Sequence, residues 1–426
     1  MRQELQSLNQ AAQELDSADP LAEVRKEFIG SETPLSYLDG NSLGRPLRRT
    51  AEDINAFIHH SWGGRLIRGW DEQWLELPQV IGDQLGSVAL GAAPGQTVIA
   101  DSTTVILYKL VRAAVAATQN HGAGGAPSRT ELVVDTDNFP TDRYVMEGIA
   151  EELGMTLRWI QADPLSGVSL EQVQAVVGAS TAVVLLSHVS YRSGYIADMA
   201  AITAAVHDAG ALVVWDLCHS VGVLELALDE CGVDFAAGCT YKYLNGGPGS
   251  PAFAYVNQRH LATLKQPIWG WMGRRDAFEM APGYQAADGI RSFLSGTPPV
   301  FGMLAVRGTL EILAQVGMPA VRAKAIELTE FALRCSEQLL APLGVTVGTP
   351  GDPAQRGGHI TISHQEFRGM LGGLWEVDVI PDFRAPDALR IGLSPLSTSF
   401  AEVLRGMVEI RDRLHLLTST TSGPTL

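Results

Sequence analysis

Gly238-Cys239-Thr240-Tyr241-Lys242-Tyr243-Leu244-Asn245-Gly246-Gly247-Pro248-Gly249 is a loop of small residues with a lysine near its centre. Upstream of it lies the apolar run Ala211-Leu212-Val213-Val214-Trp215, which ends in Asp216. An acid at a strand end followed by a lysine in such a loop suggests a pyridoxal phosphate (PLP) site. In that chemistry the lysine amine forms an imine with the cofactor aldehyde, and the carboxylate keeps the pyridine nitrogen protonated so that the ring takes up electrons.

Outward from this loop, short β-branched runs alternate with helical patterns from about residue 96 to 256. Thr97-Val98-Ile99-Ala100 precedes a helix beginning near Ser102. Glu131-Leu132-Val133-Val134 precedes a helix over 144–153, and Ala182-Val183-Val184-Leu185-Leu186 precedes one over 199–209. Repeated strand–helix units predict a largely parallel sheet covered on both faces, with ligands bound beyond the carboxyl ends of its strands. Residues 4–29 read as a polar helix pair broken at Asp19-Pro20, and Tyr37–Pro46 as a turn-rich loop with polar side chains. After Pro299 the pattern predicts a smaller α/β unit, with helices over 301–340, short strands near 344–347 and 359–362, and a last helix over 400–416. The chain is thus expected to divide into 1–50 (N-terminal helices and loop), 51–300 (large domain) and 301–426 (small domain). By composition, 121–128 reads as a flexible loop and 418–426 as a disordered tail.

The 426 residues are 46% hydrophobic and 18% charged, an ordinary globular profile. A net charge of −16 and the absence of a basic stripe argue against nucleic acid. Cys218, Cys231, Cys239 and Cys335 show no metal-ligand or disulfide spacing, so no metal is expected and reduced thiols in the cytoplasm are the simplest reading. The polar N-terminus lacks a signal-peptide core, and no window has the apolar length of a membrane span.

The strand ends carry the other candidates. Asp101-Ser102-Thr103-Thr104 supplies hydroxyls and a helix start, an ordinary N-cap taken alone and a phosphate site when combined with Lys242. Phe139-Pro140-Thr141-Asp142 reads either as a proline turn or as a ring-stacking Phe139 with Asp142 at the ring's polar edge. Ser187 either offers its hydroxyl to a ring substituent or caps its strand. His219 lies three residues past Asp216. Arg390, in Ala388-Leu389-Arg390-Ile391-Gly392-Leu393-Ser394-Pro395, either takes a substrate α-carboxylate as a bidentate fork or faces solvent from an edge strand.

YLDGNSLG (37–44), FPTDRY (139–144), WDLCHS (215–220), GCTYKYLNGGPG (238–249) and RIGLSP (390–395) together resemble, in the same order, the motifs of the kynureninases. The resemblance runs from about residue 35 to 400. It implies the PLP-dependent transferase fold (fold type I), with a mostly parallel seven-stranded sheet sandwiched by helices and a smaller α/β C-terminal domain. It further implies that Thr103 and Thr104 bind the PLP phosphate, that Phe139 stacks on the ring, and that Pro140, Thr141, Asp142, Ser187, Asp216 and His219 surround it. Tyr241 is implied to contact the phosphate, Lys242 to form the imine, and Arg390 to hold the substrate carboxylate; Tyr241 reads either as a proton relay as well or as a phosphate ligand alone. Trp271 and Thr297 match positions that reach the phosphate from the partner subunit of a homodimer. The implied activity is hydrolysis of the Cβ–Cγ bond of L-kynurenine, or its 3-hydroxy form, to anthranilate or 3-hydroxyanthranilate and L-alanine, in tryptophan catabolism or NAD biosynthesis. Two departures stand out. Thr297 replaces a frequent Asn, which bears on the choice between the two substrates, and Ser397 stands where an aromatic is common. The competing readings are a cysteine desulfurase or aminotransferase of the same fold, and a catalytically silent PLP-binding scaffold.

Overall fold

The computed structural model describes residues 2–120 and 129–421. The stretch 121–128 and the last residues, 422–426, lie outside the described residues. The part of the expected tail that is described, 418–421, continues the helix Phe400–Thr421.

Strands are numbered in chain order, and β1 (Ser36–Leu38) belongs to a second sheet. The larger sheet contains β2 (Thr97–Ala100), β3 (Glu131–Asp135), β4 (Thr156–Ile160), β5 (Thr181–Ser187), β6 (Leu212–Asp216), β7 (Phe235–Cys239) and β8 (Ala252–Val256). Their order is β2-β8-β7-β6-β5-β3-β4, and β8 runs antiparallel to both of its neighbours while the other pairs are parallel. The β-branched runs are continuous because both faces are buried. Leu132, Val134, Val183, Leu185 and Val214 enter one core with the helices Thr103–Asn120 and Pro140–Leu153. Val133, Val184, Leu186, Val213 and Trp215 enter the other with Leu77–Leu85, Met199–Asp208 and Val300–Val316. Each fully buried aliphatic side chain contributes about 1.5–3 kcal/mol relative to an exposed one, so the two cores hold the sheet register firmly. That register sets Ser187 level with Asp216 and Asp216 level with Ala237, aligning three carboxyl ends.

The second sheet has the order β1-β11-β12-β10-β9, with β9 (Thr346–Val347), β10 (His359–Ser363), β11 (Val379–Arg384) and β12 (Ala388–Gly392). The turn residues from Tyr37 predict a loop, whereas Ser36–Leu38 is an edge strand parallel to β11. Three residues are too few to show a period, and the partner lies far along the chain. β4 and β11 also escape a periodicity reading, because half of β4 faces outward and β11 carries Pro381, Asp382 and Arg384.

The first and last described helices meet in this layer. Leu8 and Ala12 of the helix Arg2–Ala18 pack in one core with Val403, Met407 and Ile410 of the helix Phe400–Thr421. The Asp16 carboxylate accepts from the backbone N–H groups of Phe400 and Ala401, both at 2.9 Å, and so caps a helix nearly four hundred residues away. Among the described residues, no single helix is long and apolar enough to cross a membrane.

Asp16→Ala should lower the free energy of unfolding by about 1 kcal/mol, the usual cost of a lost N-cap, while Asp16→Asn keeps most of it. Thermal unfolding of both variants checks this, and an unchanged Asp16→Ala midpoint would contradict it.

Candidate active site

The lysine loop is built from bonds within itself and from a strap laid across it. Beyond β7, Thr240 donates its hydroxyl to Pro251 O (2.5 Å) and lies 2.7 Å from Ser250 Oγ, while Gly246 N–H donates to Thr240 O (2.8 Å). Asn245 adopts a left-handed φ of 54° and donates its side-chain amide to Arg45 O (2.9 Å). Gly44 N–H donates to Tyr241 O (2.8 Å). A Cβ on Gly44 would stand 2.3 Å from Lys242 O, so only glycine lets the 39–46 segment lie this close to the lysine. Lys242 Nζ is thereby held 3.2 Å from His219 Nε2 and 5.9 Å from the centre of the Phe139 ring.

Two carboxyls face this amine. Asp216 ends β6, and its Oδ1 accepts from Cys218 N–H at 2.7 Å. Asp142 lies in the first turn of the helix Pro140–Leu153, where Pro140 supplies a pre-set φ. Burial, reinforced by Asp216 and then Asp135, pushes the Asp142 carboxyl well above its ordinary range. Its Oδ2 has no partner among the described residues although it is shut away from water. Two adjacent buried carboxyls cannot both ionise unless a cation or an N–H donor joins them. Burial first, and then the charges of Lys242 and Arg390, hold the His219 ring well below its usual range, so it is a neutral acceptor.

These groups line one cavity of about 210 Å³. Of the residues singled out by sequence, Thr103, Thr104, Phe139, Thr141, Asp142, Asp216, His219, Tyr241 and Lys242 meet there; Cys218, Gly249 and Ser250 join them. Asp101, Ser102, Thr103 and Thr104 form one end, at the N-terminus of an eighteen-residue helix whose unpaired N–H groups and dipole favour an anion. A larger cleft of about 780 Å³, flanked by Leu261, Trp269 and Tyr284, contains neither the lysine nor the carboxyl pair.

The remaining candidates stand elsewhere. Pro140 starts its helix and does not line the cavity. Ser187 donates its hydroxyl to Asn138 Oδ1 (2.7 Å) and lines a neighbouring pocket with Asp135 and Tyr191. Trp271 and Thr297 are exposed and lie outside their own chain's cavity. Arg390 does not face solvent from an edge: β12 is an interior strand, and the side chain is buried. Its guanidinium donates to Asp382 Oδ2 (2.5 Å), Tyr191 O (2.8 Å) and Ser42 Oγ (2.9 Å).

His359 escaped the sequence reading, since a single histidine between Gly358 and Ile360 carries no motif. It is fully buried against the backbone of Arg192 and Tyr191, and its ring centre is 5.7 Å from that of His219. Among the described residues, no group of three or more His, Cys, Asp or Glu side chains is placed to hold a metal.

A sequence profile described as the kynureninase C-terminal domain matches residues 321–410. The chain is 40% identical over 406 residues to the kynureninase of Pseudomonas fluorescens, covering 94% of each. It is 39% identical over 403 residues to that of Burkholderia pseudomallei strain 1106a, again covering 94% of each. In fold it is similar to a cysteine desulfurase from Thermococcus onnurineus NA1, with a TM-score of 0.77 at 18% identity over 92% of this chain and 98% of that one. It is also similar to a cystine C–S lyase solved with glycine covalently linked to its PLP cofactor, with a TM-score of 0.78 at 19% identity over 91% and 99% of the two chains.

Burial and the neighbouring Arg390 charge push the His359 ring down to about 3, from 6.5 when exposed. Between those values the unfolded chain binds a proton that the folded protein does not. The stability this residue contributes is therefore complete above about pH 6.5 and is lost as pH falls toward 3. His359→Gln should remove that acid penalty, so the melting-temperature advantage of the unmutated protein should shrink between about pH 7 and pH 4. A difference that stays constant across this range would contradict a ring buried in its neutral form.

Proposed function

The chain belongs to the kynureninase family, and we propose that its cavity carries out PLP-dependent hydrolysis of L-kynurenine to anthranilate and L-alanine. The observation that carries the reading is the buried Asp142–Asp216 carboxyl pair facing Lys242 and His219. The residues fit the cofactor: the unpartnered Asp142 Oδ2 and the adjacent Asp216 ask for an N–H donor such as a protonated pyridine, and Phe139 offers an aromatic face. Thr103, Thr104 and Tyr241 would hold its phosphate. Pyridoxal phosphate supplies, when bound, an aldehyde for amine linkage and a ring that takes up the electrons released at the substrate α-carbon.

The chain's own groups would do the rest. Lys242 anchors the aldehyde, gives way to the substrate amine, and then moves the proton at the α-carbon. Neutral His219, 3.2 Å away, orients that amine by accepting from it. Arg390 stands near enough to His219 to depress its basicity, which supports a role in holding the α-carboxylate. A carboxylate oxygen would there replace Ser42 Oγ, the neutral side-chain acceptor of the guanidinium, while Asp382 keeps the fork oriented. Water adds to the aryl ketone carbon, the Cβ–Cγ bond breaks, the acyl carbon leaves as a carboxylate, and Cβ gains a proton. Tyr241, which lines the same cavity, is the proposed carrier of that proton.

Desulfuration calls for a mobile nucleophilic cysteine. Cys218, Cys239 and Cys335 are buried and Cys231 is half-buried, with the thiols of Cys218, Cys231 and Cys335 raised above their ordinary range. Four unpaired cysteines, including Cys218 and Cys239 side by side, favour a reducing, cytoplasmic setting. We further propose a homodimer in which Trp271 and Thr297 complete the partner's phosphate site. Exposed Trp269, Phe278 and Met280 beside them supply the apolar area such a face needs.

Purified protein given L-kynurenine should release anthranilate, read by its fluorescence; absence of product from cofactor-loaded protein would overturn the reaction. Borohydride reduction followed by digestion should leave the pyridoxyl label on the peptide that contains Lys242, and label on another lysine would overturn its role. In Lys242→Ala both label and turnover should vanish.

A further inference from the structure

The phosphate end of the cavity has a feature that opposes its use. Beside Ser102, Thr103 and Thr104 it is lined by Asp101, a carboxylate, where a dianion would have to bind. Asp101 also adopts a left-handed φ of 46°, a conformation that is costly for a residue with a Cβ. Its carbonyl accepts from Ala252 N–H of β8 (3.0 Å), which fixes the backbone on the sheet side.

The compensation comes from Lys109, inside the helix Thr103–Asn120. Its side chain is fully buried, and Nζ donates to Asp101 Oδ2 (2.6 Å) and to Phe293 O (2.7 Å). No mobile counter-ion can replace a cation enclosed in this way. Nothing in the proposed mechanism uses Lys109, although burying a lysine without a compensating partner is expensive. Its carboxylate partner lines the cavity, and its carbonyl partner lies four residues before Thr297.

We propose that Lys109 is a positioning residue for phosphate binding: by pairing with Asp101 from behind, it neutralises the one carboxylate at the phosphate end and holds the 101–104 turn in place to present its N–H groups and hydroxyls to a dianion. Through Phe293 the same cation ties that turn to the segment bearing Thr297. The proposal rests on the reading of the cavity as a PLP site and adds what gives the site its preference for a phosphorylated ligand. Without Lys109, Asp101 would repel the phosphate at short range in a site of low dielectric, and an unphosphorylated ring would be indifferent to the change.

The test compares pyridoxal phosphate with pyridoxal, titrated by absorbance into cofactor-stripped full-length protein. The variants are Lys109→Met, Asp101→Asn and the double variant, each checked for folding by circular dichroism. Lys109→Met should lose about tenfold or more of the preference for the phosphorylated form, with pyridoxal affinity held within about threefold. Removing the carboxylate as well should restore the preference, and Asp101→Asn alone should keep or raise it. Equal losses for the two ligands in Lys109→Met would mean a purely structural role and would overturn the proposal. So would a fall in preference in Asp101→Asn, which keeps the proposal testable if Lys109→Met does not fold. Unmutated protein that binds both ligands equally would overturn the cofactor reading itself, and the proposal with it.

Discussion

Two carboxyls in one water-poor site, Asp142 and Asp216, impose the constraint on which the rest of the active site depends. Each comes from a different strand–helix unit, and the register of β3, β5 and β6, fixed by the two cores on either face of the sheet, brings them together. Burying such a pair costs several kcal/mol unless a proton or a donor joins them. Asp142 keeps its proton because burial and Asp216 push its carboxyl up, and one of its oxygens still lacks a partner. Such an arrangement suits a ligand that brings a positive N–H into it.

The same logic of compensated charge joins the two sheets. The 39–46 segment leaves β1 in the smaller sheet and lies across the lysine loop of the larger one, which is possible because Gly44 has no Cβ. Arg45 closes the strap from below, paired at 2.7 Å with Glu402 in a nearly solvent-free contact that also receives Tyr37 N–H. Arg390 adds a second tie, spanning Asp382 on β11, Ser42 on the strap and Tyr191 beyond β5. A change at the lysine loop is therefore felt at Arg390 through bonded neighbours, and the helices Arg2–Ala18 and Phe400–Thr421 are both committed to the layer that carries it.

Much of this was legible in the chain. The β-branched runs of β2, β3, β5 and β6 announce a sheet buried on both faces, and the acids, hydroxyls and lysine at their ends foretell the cavity. What was not legible depends on long-range pairing. β1 is too short to show a period, β4 and β11 carry polar residues at exposed or functional positions, and Arg390 reads equally well as a solvent-facing residue until β11 and β10 are seen on either side of it. His359 and Lys109 are single polar residues in apolar surroundings, and only the folded structure shows one beside His219 and the other behind Asp101. Ser187 sits at the expected strand end with its hydroxyl turned to Asn138, a side-chain direction that no residue pattern encodes.

The most direct measurement of the central claim compares the affinity of cofactor-stripped protein for pyridoxal phosphate with its affinity for the analogue bearing carbon in place of the ring nitrogen. If the Asp142–Asp216 pair is completed by a ring N–H, the analogue leaves the pair unsatisfied and should bind about a hundredfold more weakly, as expected for loss of a charge-assisted bond in a buried site. Equal affinity for the two rings would contradict the account, because the carboxyl pair would then owe its place to something other than the cofactor.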